Sequence, residues 1–309
     1  MRGPPSGLRT SLSPPADETV RRHLERLYAS VDAPARIAAD PIAFPRRYPR
    51  KVDAEVAGLI AAQLAYGRVD LFRPVVAAIL SLADGAGGPR ALAEQLLDGP
   101  SPPGLASIKY RWNRGPDFEL LFQTLGQVFL RYPDLESLFV EGWEDGAVTI
   151  KGSLTHAAAT LAALSLETPA AAALGIRSVS DLPRGFRYFL SSPVRGSACK
   201  RWNMYLRWMI RPTTEGIDLG LWTGIPPRAL VIPLDTHVRR IVRFLGLTAR
   251  KDDSWRTAEE VTAALRAMDP ADPIRYDFAI AHLGISRACL GYRDDDVCPS
   301  CPLNPVCTA

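Results

Sequence analysis

Two groups of residues in this 309-residue chain have types and spacings that could do chemistry. The first is a run of four cysteines, Cys289, Cys298, Cys301 and Cys307, in "CLGYRDDDVCPSCPLNPVC", spaced C-x8-C-x2-C-x5-C. A two-residue gap lets Cys298 and Cys301 converge on one metal centre from a tight turn, and Pro302 and Pro305 stiffen the loops that carry the others. Four thiolates suit either a tetrahedral zinc ion or an iron–sulfur cube. Zinc sites usually show two close pairs of cysteines where this sequence has one, which leans towards [4Fe–4S]. A Pro-rich segment offers little core in which to bury unrelated thiols. With no secretory signal in the sequence, metal is expected rather than disulfides.

The second group is Lys200 and Asp235. In "SDLPRGFRYFLSSPVRGSACKRWNMYLRWMIR" the pattern predicts a helix from 181 or 182 to about 191, a turn at "SPVRG" and a second helix from about Ser197. That is a helix-hairpin-helix unit over about 181–211. Gly196 admits close approach of another backbone, and the free N–H groups from Ser197 onward form an anion site suited to a DNA phosphate. Lys200 sits near the start of that helix, where the macrodipole and neighbouring arginines such as Arg201 disfavour its charge. Both effects depress its pKa, as an amine nucleophile requires. In "VIPLDTHVRRIVRFLGL" the apolar positions 238, 241, 242, 245 and 247 follow the helical repeat, and Pro233 bars a helix from running in. Asp235 therefore stands at a helix start. Its plain reading is an N-cap; its functional reading is a carboxylate held at a cleft, which His237 could orient.

The elements that must position these residues read almost entirely as helices. "DETVRRHLERLYASV" with Asp17 as cap, "DAEVAGLIAAQLAYGRV" from Asp53, "DFELLFQTLGQVFLRY", "GSLTHAAATLAALSL", "SWRTAEEVTAALRAM" and "PIRYDFAIAHLGISRACL" all carry the three-and-four repeat. Alternating patterns are scarce, so the fold class is all-α, with "DGAGGPR" and "LDGPSPPG" as loops. No apolar run spans a bilayer, since "HAAATLAALSLETPAAAALGI" is interrupted by Glu167 and Pro169. The first sixteen residues read as a disordered tail without a signal peptide's apolar stretch, and the expected location is cytoplasmic.

Net charge is only +4, but residues 195–256 hold twelve Lys and Arg against five acids. "FPRRYPRK" and "KYRWNR" add cations mixed with aromatics, which makes nucleic acid the leading partner. Tyr66, Trp112 and Trp202 are candidates for base stacking, with core packing the favoured reading of each. Asp277 and His282 read as packing residues or as residues backing the cysteine ligands in the cluster lobe, and Cys199 as a partly buried thiol outside the ligand set.

Together these pieces resemble the helix-hairpin-helix (HhH-GPD) DNA glycosylases, the endonuclease III superfamily. The resemblance rests on "PLDTHVRRIVRFLGL", "FAIAHLGISRACLG", "CPSCPLNPVC" and, less closely, "GSACK". It is nearest to an uncharacterised bacterial branch of the DUF2400 type. The chain departs from the superfamily pattern in four ways: Arg195 replaces the hairpin proline, Ala198 replaces its second glycine, "RPTTEGIDLGLWTGIPPRAL" lengthens the Lys200-to-Asp235 separation, and the first cysteine gap is two residues longer.

The resemblance implies a two-lobed all-α fold with a C-terminal four-cysteine cluster loop. A helical barrel lobe would span 52–230, including the hairpin, and a cluster-bearing lobe would combine 17–51 with 231–309. The implied activity is base-excision DNA glycosylase with AP lyase, carried by Lys200 and Asp235, on double-stranded DNA with a damaged base or abasic site. Gly196, Ser197, Arg201, His237, Arg239 and Arg240 would contact DNA, and Gln63 in "LIAAQLAYGRV" would enter the space left by a flipped base. The implied cofactor is a [4Fe–4S] cluster, with structural zinc as the alternative. The expected protein is a nucleoid-associated monomer with no membrane partner. The alternative function is a non-catalytic iron–sulfur nucleic-acid-binding protein of the same fold.

Overall fold

A computed structural model of the chain describes residues 18–212 and 216–309. The tail 1–16 and the cap assigned to Asp17 lie outside the described residues. The helices are α1 (Glu18–Ala29), α2 (Ala33–Ala39), α3 (Lys51–Leu64), α4 (Val69–Gly85), α5 (Pro89–Gln95), α6 (Gly115–Arg131), α7 (Leu135–Glu141), α8 (Lys151–Ser165), α9 (Pro169–Ala173), α10 (Arg184–Arg187), α11 (Lys200–Ile210), α12 (Thr236–Phe244), α13 (Trp255–Met268) and α14 (Asp277–Ile285). The one two-stranded ladder among the described residues pairs β1 (Lys109–Tyr110) with β2 (Asn113–Arg114), so the fold is all-α. No helix there is long and apolar enough to cross a membrane. Glu167 and Pro169 divide the longest apolar stretch between α8 and α9, where Thr168 caps the second helix.

The centre of the molecule is the crossing of α3 and α11. Every residue of α3 from Asp53 to Leu64 and of α11 from Arg201 to Ile210 is buried. Gly58 lies at the crossing, where a Cβ would meet the end of the flexible Met209 side chain at 2.5 Å. Helix α3 begins at Lys51 rather than Asp53. The reason is that the Asp53 carboxylate serves another helix, accepting from Arg90 N at 3.0 Å near the start of α5. Helix α1 lies against α14 and the C-terminal segment, with His23 Nδ1 2.8 Å from Pro302 O and Tyr276 Oη donating to Glu25 at 2.6 Å.

Three further expectations change. The first helix of the hairpin is not a ten-residue element but the four residues of α10. Beyond it, the carbonyls of Tyr188 and Phe189 accept from the side chains of Arg201 and Trp202, which reach back from α11. The second helix starts at Lys200 rather than Ser197, because the preceding backbone bonds across to the loop before α13. Trp255 N donates to Gly196 O at 2.9 Å and Ala198 N to Asp253 O at 3.3 Å, and Cys199 takes a left-handed φ of 49°. Likewise α14 ends at Ile285, so Cys289 lies on a loop and not on the helix, its N–H donating to Leu283 O at 3.0 Å.

Glu55 is a wholly buried carboxyl on α3. It accepts from Trp222 Nε1 at 2.6 Å and Leu135 N at 3.0 Å, with Lys51 Nζ 3.8 Å away. Burial pushes its pKa up to about 7 against those partners. A carboxyl whose folded pKa exceeds its unfolded one holds its proton more tightly in the fold, so its contribution to stability falls as pH rises from about 4 through 7. Glu55→Gln should therefore raise Tm relative to wild type more at pH 8 than at pH 5, which paired thermal melts would check.

Candidate functional site

A cleft of about 530 Å³ opens where the end of α3, the hairpin and the start of α12 meet. Lys200 and Asp235 both line it, as do Tyr66, Tyr188 and Asp253. Lys200 opens α11, and its Nζ makes long contacts to Ala65 O (3.4 Å) and Met204 Sδ (3.6 Å). Burial pushes its pKa down, outweighing the upward pull of Asp235, Asp40 and Asp277. Asp235 is the N-cap of α12, with Oδ1 accepting from His237 N and Val238 N at 2.9 Å each. Capping and cleft position coincide in one residue: the bonds that start the helix fix the carboxylate on the cleft wall.

The other residues singled out by the sequence divide between the cleft and the interior. His237 lines the cleft and packs on α14, where a Cβ at Gly284 would lie 2.6 Å from its own Cβ. Gly196, at φ 77°, faces open space at the hairpin tip. The Ser197 hydroxyl accepts from Cys199 N at 3.1 Å. Gln63 has no exposed surface, so its side chain does not face an open groove. The Arg201 guanidinium is engaged internally, donating to Gln63 O at 2.8 Å and to Tyr188 O while lying 3.9 Å over the Tyr188 ring. Arg239 bonds Lys251 O (2.7 Å) and pairs with Asp253 (3.1 Å), and the Arg240 guanidinium lies against the backbone of Gly291 in the cysteine segment. Of the stacking candidates, Trp202 is core and Tyr66 borders the cleft. Trp112 is 49% exposed, with Arg184 4.1 Å over its ring, and is not the core residue the sequence favours.

A second, smaller cavity of about 50 Å³ shares Lys200 and Asp235 with the cleft and is further walled by Asp40, Arg207, Asp277 and His282. Asp277 is 1% exposed with Oδ2 2.5 Å from Arg207 Nη1, and burial pushes it up to about 6. His282 Nε2 lies 3.4 Å from Asp40 Oδ2. Reading Asp277 and His282 as packing residues or as residues backing the cysteine ligands missed this arrangement. The available signal was an acid and a histidine inside the otherwise apolar run "DFAIAHLGI". Asp40 lies in a turn and carried no signal.

Cys289, Cys298, Cys301 and Cys307 line one cavity together, and none is in a disulfide. Asp294 N donates to Cys298 Sγ at 3.4 Å. Burial pushes the Cys301 thiol up, reinforced by the other three. Among the described residues no three His, Cys, Asp or Glu side chains gather closely enough for a single metal ion. Cys199 stands apart on the cleft wall, its thiol pushed up to about 11 by burial.

The family described as "Protein of unknown function (DUF2400)" matches residues 40–286. The chain belongs to this family. The matched span contains every residue of the cleft and of the smaller cavity and stops short of Cys289. No curated protein and no solved structure matched the chain.

Because Gly284 seats His237, Gly284→Ala forces α12 and α14 apart. We expect it to destabilise the fold by about 1–3 kcal/mol, the usual range for overpacking, measured by urea unfolding.

Proposed function

We propose that the protein is a base-excision DNA glycosylase with abasic-site lyase activity, built on the helix-hairpin-helix glycosylase plan. The observation that carries this reading is the convergence of Lys200 and Asp235 on one cleft, with a depressed lysine beside a fixed carboxylate. The cleft's volume of about 530 Å³ suits a small-molecule-sized guest such as an extruded nucleoside, and Tyr66 and Tyr188 are among its lining residues. A base inside the duplex hides its sugar C1′, so the nucleotide must leave the stack first.

The chemistry follows from the two side chains. The Lys200 amine adds to C1′ as the bond to the base breaks, and the base departs with that electron pair. Ionised Asp235 offsets the positive charge developing on the sugar. Ring opening then gives a protonated Schiff base between Lys200 and C1′, and loss of a C2′ proton expels the 3′ phosphate.

The donor set of four thiols outside any disulfide, lining one cavity, suits an iron–sulfur cube or a tetrahedral zinc ion, and the single close pair of cysteines in the sequence favours the cube. Cys289, Cys298, Cys301 and Cys307 would hold the [4Fe–4S] cluster, which when bound supplies cross-linking of the C-terminal loop. Arg240 on Gly291 and His23 on Pro302 tie that loop to α12 and α1.

A second reading, a nucleic-acid binder without chemistry, rests on the altered hairpin, in which Arg195 and Ala198 stand where the superfamily has proline and glycine. Borohydride trapping separates the two. Duplexes with an abasic site, 8-oxoguanine, thymine glycol or uracil should yield a covalent adduct with wild type that is lost in Lys200→Ala, and in Asp235→Asn its rate should fall by roughly 10²-fold or more. Binding without an adduct on any duplex would overturn the lyase reading in favour of the binder. Anaerobically purified protein should carry iron and acid-labile sulfide rather than zinc, and Cys301→Ser should lose them, by elemental analysis.

A further inference from the structure

The reaction drawn above leaves the small cavity behind Lys200 without a role, yet buried charge collects there. Groups reach Lys200 from four elements: Asp235 from the start of α12, Asp40 from the turn after α2, Asp277 and His282 from α14, and Arg201 and Arg207 from α11 itself. The three carboxylates are not equivalent. Asp235 spends Oδ1 on two backbone N–H donors at the N-terminus of α12. Asp40 accepts from Ile42 N at 2.9 Å and faces His282, and its pKa is held below the usual range although burial opposes that. Asp277 spends Oδ2 on Arg207 and leaves Oδ1 buried with no partner. A buried carboxylate oxygen without a donor is destabilised by its lost hydration, and gaining a proton relieves that.

Lys200 is poorly served as an ammonium, its contacts to Ala65 O and Met204 Sδ being long. Lys200 and Asp277 wall the same cavity of about 50 Å³, whose exposed lining is mostly apolar and which has room for one water between the charged groups that reach it. We propose that Lys200 and Asp277 share one proton across this cavity: it passes from Nζ to Asp277 Oδ1 through a bridging water, leaving a neutral amine towards the cleft and a neutral carboxylic acid inside. The proton count of the pair does not change and nothing is exchanged with solvent. Burial acts on both groups in the required sense, pushing the lysine down and the carboxyl up to about 6. Asp277 is thus a positioning residue that keeps the amine free. The inference deepens the reading of Lys200 as a nucleophile, but its test needs no DNA.

Competitive labelling with acetic anhydride from pH 6 to 9, resolved by mass spectrometry, measures the free-amine fraction of Lys200 in the intact protein. An amine generated by an internal transfer has a reactivity nearly independent of pH between the pair's two macroscopic titrations. Wild type should therefore vary less than about threefold over that range, whereas an ordinary lysine changes about tenfold per pH unit below its midpoint. Asp277→Asn, which keeps the shape and cannot take the proton, should restore the ordinary slope. Asp40→Asn should leave the profile flat. A wild-type profile with the ordinary slope overturns the proposal on its own, even if Asp277→Asn fails to fold. An Asp277→Asn profile as flat as wild type overturns it too. A failure of borohydride trapping with a flat wild-type profile would instead count against the glycosylase reading alone.

Discussion

Arg207 is the interaction on which the rest of the site depends. Its guanidinium is buried in the middle of α11, donating to Asp218 at 3.0 Å and Asp277 at 2.5 Å. Removing one partner of a buried ion pair typically costs about 3–5 kcal/mol, so α11, the segment holding Asp218 and the start of α14 are bound into one body. Helix α14 in turn seats His237 at Gly284 and so sets where α12 begins. The separation between Lys200 at the head of α11 and Asp235 at the head of α12 is therefore fixed from behind, by the Arg207 ion pairs at the back of the small cavity both residues line.

Lys200 and Asp235 both stand at helix starts, and the two starts act differently. At α12 the unpaired backbone donors meet a carboxylate, which they stabilise as an anion. At α11 the first residue is a lysine, where the macrodipole and burial both disfavour charge. One end favours a fixed negative charge and the other a free amine, which is the division of labour that attack on a sugar carbon with developing positive charge requires. The loop of Asp252 and Asp253 closes the site beside the hairpin, bonding Ala198 N and pairing with Arg239.

The local features were legible in the sequence, the long-range ones much less so. Period and caps located α6, α8, α12 and α13, and the cysteine spacing drew attention to four thiols that line one cavity. The first hairpin helix was overextended, because nothing local reveals that Arg201 and Trp202 would take the carbonyls of Tyr188 and Phe189. Asp53 was read as the start of its own helix, while its carboxylate serves Arg90 on a different one. Gln63 and Arg201 fit a pattern of exposed DNA contacts, but the crossing of α3 with α11 buries both. Asp277 and His282 were visible only as polar interruptions of an apolar run; the lysine they surround is decided by tertiary packing.

The central claim is that DNA is worked on in the cleft between Lys200 and Asp235. A crystal structure with a duplex carrying a stable abasic-site analogue tests it most directly. The account predicts the analogue's sugar extruded into the cleft, with C1′ within reach of Lys200 and the ring beside Asp235. Duplex bound on another face with the cleft free of nucleotide would contradict it.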